Sequence, residues 1–155
     1  MIPALIEEHL RVHHQGYGHT LHAPAMTAQD LAAAEHVPGR RVAKAVIVRV
    51  GGELAIAVVP ASTRVSLAAI EEATGRTAEL VPEPEFSRIF EPCEPGAEPP
   101  LGLFGLPIFV DQALLQQDRL VMPAGTHDDA VEVDTHEWLT CEGAQPVPSL
   151  GARLS

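Results

Sequence analysis

The stretch "GRRVAKAVIVRVGGELAIAVVP", residues 39–60, decides the fold. Its first half alternates with period two. Val42, Lys44, Val46, Val48 and Val50 fall on one face; Ala43, Ala45, Ile47 and Arg49 fall on the other. Gly51-Gly52 is a two-residue hairpin signal, so strands over 41–50 and 53–60 are expected to pair antiparallel. The second strand is apolar on both faces, which places it centrally in a sheet. Lys44 interrupts an otherwise apolar row. Two readings account for it. It is an edge lysine that deters aggregation and snorkels to water. Or it sits on the floor of a pocket, where it donates hydrogen bonds to a substrate carbonyl, phosphate or ribose and burial lowers its pKa.

Helical signals flank the hairpin. Residues 3–14 read as an opening helix, with Pro3 in its first turn and Leu5, Ile6, His9, Leu10 and His13 on one face. A short extended piece is expected over 20–23. Thr27 is the expected N-cap of a second helix, with Asp30 three residues on, and Pro38-Gly39 ends it. "SLAAIEEATG" reads as a short helix closed by Gly75, "RTAELVP" as a strand and "EPEFSRIF" as a helical turn. Strand signals resume at "PIFVD", "DRLVMPAG" and "DAVEVD". A short helix capped by Asp134 or Thr135 follows, and the tail from "AQPVPSLG" onward reads as loosely held. The expected fold class is mixed α/β (α+β). It is a single domain over 1–155 with its core at about 17–140, built on a curled, mixed, partly antiparallel sheet of about six strands surrounded by short helices.

Composition bounds the function. At 155 residues and 46% apolar content the chain can bury a core. A net charge of −11 opposes tight non-specific binding to DNA or RNA, though not recognition of a nucleic-acid end by a local pocket. No apolar run is long enough to cross a bilayer, and the first residues lack a cleavable apolar segment, so the expectation is a cytoplasmic protein with no membrane partner. The two cysteines, Cys93 and Cys141, read as unrelated thiols. His13, His14, His19 and His22 are close in sequence, but no zinc-ligand spacing, P-loop, GxGxxG or nucleophile elbow is present. Neither a metal nor a cofactor is expected.

Two further segments stand out. Residues 91–107, rich in proline and glycine yet carrying Leu101, Leu103, Phe104 and Leu106, read as a stiff, partly apolar loop without regular structure. Such a loop inside a compact domain is usually functional. Gly96 allows close backbone approach to a ligand, and the prolines fix the loop shape in advance. Further on, Gly125-Thr126-His127 precedes a strand and offers a backbone nest, a hydroxyl and an imidazole.

"RVAKAVIVR", "EPGAEPPLG" and "AGTHDDAVEVD", in this order, resemble the YbaK-like family of aminoacyl-tRNA deacylases. That family includes the editing domain inserted in bacterial prolyl-tRNA synthetases and its free-standing relatives. "HAPAMTAQDLAAAEHVPG" fits the family's N-terminal segment, and the resemblance spans about residues 17–140. It implies trans-editing: hydrolysis of the ester of a mischarged aminoacyl-tRNA such as Ala-tRNAPro, Cys-tRNAPro or one carrying another small amino acid. The resemblance assigns catalytic roles to Lys44 and Gly96. It places Met26, Val46, Pro99, Pro100, Leu101, Gly102, Gly125, Thr126 and His127 against the substrate. Met26 stands where the family often has an aromatic residue, which bears on amino-acid preference. The implied partners are the 3′ acceptor end of the mischarged tRNA and an aminoacyl-tRNA synthetase. The alternative is a non-catalytic binding module of the same fold that docks on a synthetase or holds an aminoacyl or nucleotide ligand.

Overall fold

A computed structural model describes residues 1–153. Helix α1 (Ala4–His13) leads into β1 (Gly18–Leu21) and α2 (Ala28–Ala34). The hairpin follows as β2 (Ala43–Val50) and β3 (Glu53–Pro60), then β4 (Thr63–Val65), α3 (Leu67–Thr74), β5 (Ala78–Leu80) and the single turn α4 (Glu83–Phe86). After the long loop come β6 (Ile108–Asp111), β7 (Arg119–Pro123), β8 (Asp129–Asp134), α5 (Thr135–Cys141), β9 (Gln145–Val147) and β10 (Gly151–Arg153).

Local chemistry explains the boundaries. Gly51 and Gly52 both have positive φ, 57° and 89°, the backbone a two-residue hairpin turn needs. The β2–β3 register runs from Ala43 opposite Pro60 to Val50 opposite Glu53. Thr27 Oγ1 accepts from Asp30 N–H, Ser66 Oγ from Ala69 N–H and Asp134 Oδ1 from Glu137 N–H, which caps α2, α3 and α5. Gly75 ends α3 in the left-handed conformation.

The mixed α/β architecture holds, but the strands are partitioned rather than joined in one sheet of six. A five-stranded sheet runs β5-β2-β3-β6-β9, antiparallel across β5-β2-β3 and parallel across β3-β6-β9. A three-stranded antiparallel sheet runs β1-β8-β7, and β10 pairs with β4. β3 is interior and buried on both sides. Ile56 and Val58 join a core with α1, α5 and β7, whereas Ala55, Ala57 and Val59 face Ile70 of α3.

Three expectations need correction. The tail is not loose as far as Arg153. β9 extends the main sheet, β10 pairs with β4, and Val147 and Leu150 are buried. Leu154 and Ser155 lie outside the described residues. The Pro/Gly-rich loop contains one regular turn, a 3-10 helix over Gly102–Phe104. On α1, Ile6 and Leu10 are buried, but Leu5 and His13 are exposed. The inward histidine is His14, just past the helix end.

Candidate active site

β5 pairs with β2 only as far back as Val48 opposite Leu80. Val81 N–H still reaches Ile47 O at 3.4 Å, and Val42 makes a single parallel bridge to Val121, so residues 43–46 between them have a ladder partner on the β3 side alone, and this gap in the edge forms one wall of a cleft of about 500 Å³. That volume lies in the range of small-ligand sites. The row Val46, Val48, Val50 packs toward α3. Lys44, one step further along the row, has left that core and enters the cleft half-buried. Its Nζ donates to the Thr63 carbonyl at 2.5 Å. No carboxylate is within ion-pair distance of it among the described residues. Burial lowers its pKa, so the ammonium is a strong donor with protons to spare for a ligand.

The facing wall is the 94–98 loop stitched to the 125–127 turn. Glu94 N–H donates to Gly125 O at 2.8 Å and Gly125 N–H to Ala97 O at 2.9 Å. His127 Nε2–H donates to Pro95 O at 2.6 Å, and its backbone N–H to Glu94 Oε1 at 2.7 Å. Gly96 and Gly125 both have positive φ, 86° and 94°. At Gly125 a Cβ would also lie 2.8 Å from Pro3 and 2.9 Å from Ile6. Only glycine satisfies both demands there.

Of the residues named from sequence, Lys44, Met26, Val46, Gly96, Thr126 and His127 line the cleft, as does Ala45. Pro99, Pro100, Leu101, Gly102 and Gly125 do not. Leu101 lies in the main core, Pro99 and Pro100 are buried, and Gly102 N–H is held by Glu142 Oε1. Those residues support the wall from behind. Ala43 is likewise in the core. Cys93 is half-buried. Burial first, and then the charge of Glu98, push its thiol up to about 12, so it stays protonated and is no nucleophile.

Sequence reasoning missed three polar groups of the cleft. Glu98 is buried. Its Oε1 accepts from Gly96 N–H at 3.0 Å, and burial raises its pKa. Asp129 accepts from Thr126 Oγ1 and His19 Nε2, both at 2.6 Å, with the Met1 ammonium at 2.8 Å. Burial acts to raise its pKa, but these donors outweigh it and bring it to about 2. His22 donates from Nδ1 to Ala23 O at 2.6 Å, and its buried Nε2 makes no hydrogen bond, with Glu35 Oε2 3.9 Å away. His22 stood out in sequence only as one of four neighbouring histidines, and Glu98 only as an acid amid prolines.

The cleft therefore presents the Lys44 ammonium, two buried carboxyl groups at Glu98 and Asp129, and an apolar lining that mixes Ala25, Ala28, Ala45 and Ala97 with larger side chains such as Met26, Leu31, Ile47 and Phe86. This arrangement suits a small ligand with a carbonyl or phosphate.

The family model for the aminoacyl-tRNA editing domain matches residues 22–141. No curated protein sequence matches the chain. Among solved structures, the hypothetical protein APE2540 superposes with a TM-score of 0.84 at 20% identity, over 95% of this chain and 99% of that one. A candidate trans-editing enzyme for prolyl tRNA synthetase superposes with a TM-score of 0.78 at 22% identity, over 91% of each chain. A candidate signal transduction protein from Marinobacter aquaeolei VT8 gives 0.74 at 14% identity. It covers 94% of this chain but 30% of that one, so the same fold also occurs within a longer chain.

Proposed function

Because this chain belongs to the aminoacyl-tRNA editing domain family, we propose that it hydrolyses the ester of mischarged aminoacyl-tRNA in trans. The observation that carries this reading is the convergence of Lys44, the Gly96 loop and the 126–127 turn on one cleft. The three pieces lie far apart in sequence, so their meeting on one cleft is a product of the fold and not of chain proximity.

The need for such a site is energetic. One methylene is worth only ~1–3 kcal/mol in a binding pocket, so a synthetase cannot reject a smaller amino acid by affinity alone. A second hydrolytic site solves the problem. Water adds to the ester carbonyl, the acyl–oxygen bond breaks, and the terminal ribose oxygen leaves with a proton. Lys44 anchors the carbonyl or the terminal ribose and phosphate. Gly96 N–H is the oxyanion donor, and Glu98 occupies it in the free protein, so the substrate carbonyl displaces that carboxylate. The alanines of the lining leave room for a small aminoacyl side chain beside the larger Met26, Leu31, Ile47 and Phe86. With a net charge of −11, contact is confined to the acceptor end, or a synthetase supplies the rest of the tRNA grip. No described helix is long and apolar enough to cross a membrane, and the proposed place of action is the cytoplasm.

The test is deacylation of Ala-tRNAPro, Cys-tRNAPro and serine- and threonine-mischarged tRNAs, with and without added synthetase. Turnover of at least one species is expected. Absence of turnover in every case, synthetase included, replaces this reading with the non-catalytic binding module.

Glu98 gives a separate prediction. Burial raises its pKa in the folded state, so the folded chain holds that proton more tightly than the unfolded one. The stabilisation is complete below the ordinary carboxylate value of 4.5 and is lost as pH rises through the folded value. Glu98→Gln keeps an acceptor for Gly96 N–H without the charge. Its stability relative to wild type should therefore increase between pH 4 and pH 7. Urea unfolding of both proteins at the two pH values measures this, and an unchanged difference refutes it.

A further inference from the structure

Away from the cleft, α1 and α5 bring together His9, His14 and Glu142, none of which lines the cleft. His9 Nε2 lies 3.0 Å from Glu142 Oε1 and 2.8 Å from Oε2. His14 Nε2 also bonds Oε2. One donor atom from each residue lies within 4.8 Å of the other two. Glu142 is fixed from behind by Gly102 N–H at 2.7 Å.

The hydrogen bonding of this cluster is inconsistent as it stands. If both histidines donate to Glu142, each Nε2 carries a proton. In neutral His14 the Nδ1 must then be a lone pair. Yet His14 Nδ1 is buried without a partner, and the group facing it, 3.8 Å away, is Glu137 Oε1, itself buried and unpartnered. Two acceptors confront each other out of reach of water, which is costly.

We propose that His9 Nε2, His14 Nε2 and a Glu142 oxygen bind a zinc-class divalent cation. Two imidazoles and one carboxylate form a ligand set suited to Zn²⁺. At bond lengths of ~2.0–2.2 Å, tetrahedral ligands stand about 3.4 Å apart, so the three donor atoms need only spread slightly from hydrogen-bond distances. Metallation takes up the Nε2 lone pair of His14 and shifts its proton to Nδ1. That proton then points at Glu137 Oε1, giving the carboxylate–histidine–metal arrangement that orients metal-bound imidazoles. His9 has a side chain 15% exposed, which leaves a solvent side for a fourth ligand. The cation ties α1 to α5 and, through Glu142 and Gly102, to the loop behind the cleft.

The test is calorimetric titration of the chelator-dialysed full chain with Zn²⁺ at pH 7, beside His9→Gln, Glu137→Gln and His136→Gln. His9 is partly exposed, so its variant should fold, which circular dichroism checks. Expected are one Zn²⁺ per chain and a raised melting temperature. Glu137→Gln should weaken binding about 10–100-fold, and His9→Gln by more. His136→Gln, an exposed histidine on α5, should bind like wild type. Absence of stoichiometric binding overturns the proposal. Equal affinity in His9→Gln also overturns it, since the cation then sits on other histidines. Neither readout depends on deacylation, so this proposal and the editing reading fail separately.

Discussion

Lys44→Ala is expected to lower kcat/KM for deacylation by about 10²–10³-fold, the range seen when a charge-stabilising donor is removed from a hydrolytic site. The same change should alter the melting temperature little. Lys44 is half-buried at the end of its apolar row, and among the described residues it makes no ion pair whose loss would leave a buried charge. Its Nζ donates to the Thr63 carbonyl. The separation between activity and stability is what distinguishes a ligand-binding lysine from a snorkelling one. Lys44→Arg tests geometry in turn, since a planar guanidinium cannot replace a compact ammonium at a narrow cleft wall. The pH profile carries a sign. Burial lowers the Lys44 pKa from 10.5, so the charged donor is lost, and kcat/KM above the spontaneous rate falls, at a pH below that of an ordinary lysine. Full activity in Lys44→Ala removes the lysine from the proposed mechanism, whatever the substrate proves to be.

The hairpin was legible because everything that specifies it is local. Alternation, Gly51-Gly52 and a doubly apolar β3 lie within residues 39–60. Caps at Thr27 and Gly75 are likewise short-range and were readable for the same reason. β9 and β10 were not. Each has three residues, too few for a period, and each owes its existence to a distant partner in β6 or β4. The cleft was half legible. Lys44 showed as an anomaly in a pattern, and Gly96 and His127 as parts of unusual loops. That Pro99, Pro100 and Leu101 turn inward follows from where the loop docks, which no periodicity records. His9, His14 and Glu142 are the extreme case: they meet across more than a hundred residues of sequence, and each alone is an ordinary polar residue.

The largest stability effect is expected at Trp138. Its side chain is fully buried in the core shared by α1, α5 and β7, and its indole N–H donates to the Pro100 carbonyl at 2.9 Å. Trp138→Ala should cost about 3–5 kcal/mol through lost burial and the cavity left behind. In a chain of 155 residues that corresponds to a fall in melting temperature of roughly 6–20 °C. Trp138→Phe separates the two contributions. It keeps most of the apolar volume but leaves the buried Pro100 carbonyl without its donor, at about 1–3 kcal/mol. Pro100 is only two residues beyond Glu98 and four beyond Gly96, so this bond anchors the wall that faces Lys44. Trp138→Phe should therefore reduce deacylation more than its melting temperature suggests, while Trp138→Ala loses both. A phenylalanine variant with wild-type turnover shows that the packing of Leu101 and the Gly125–Ala97 bond hold the loop without the indole.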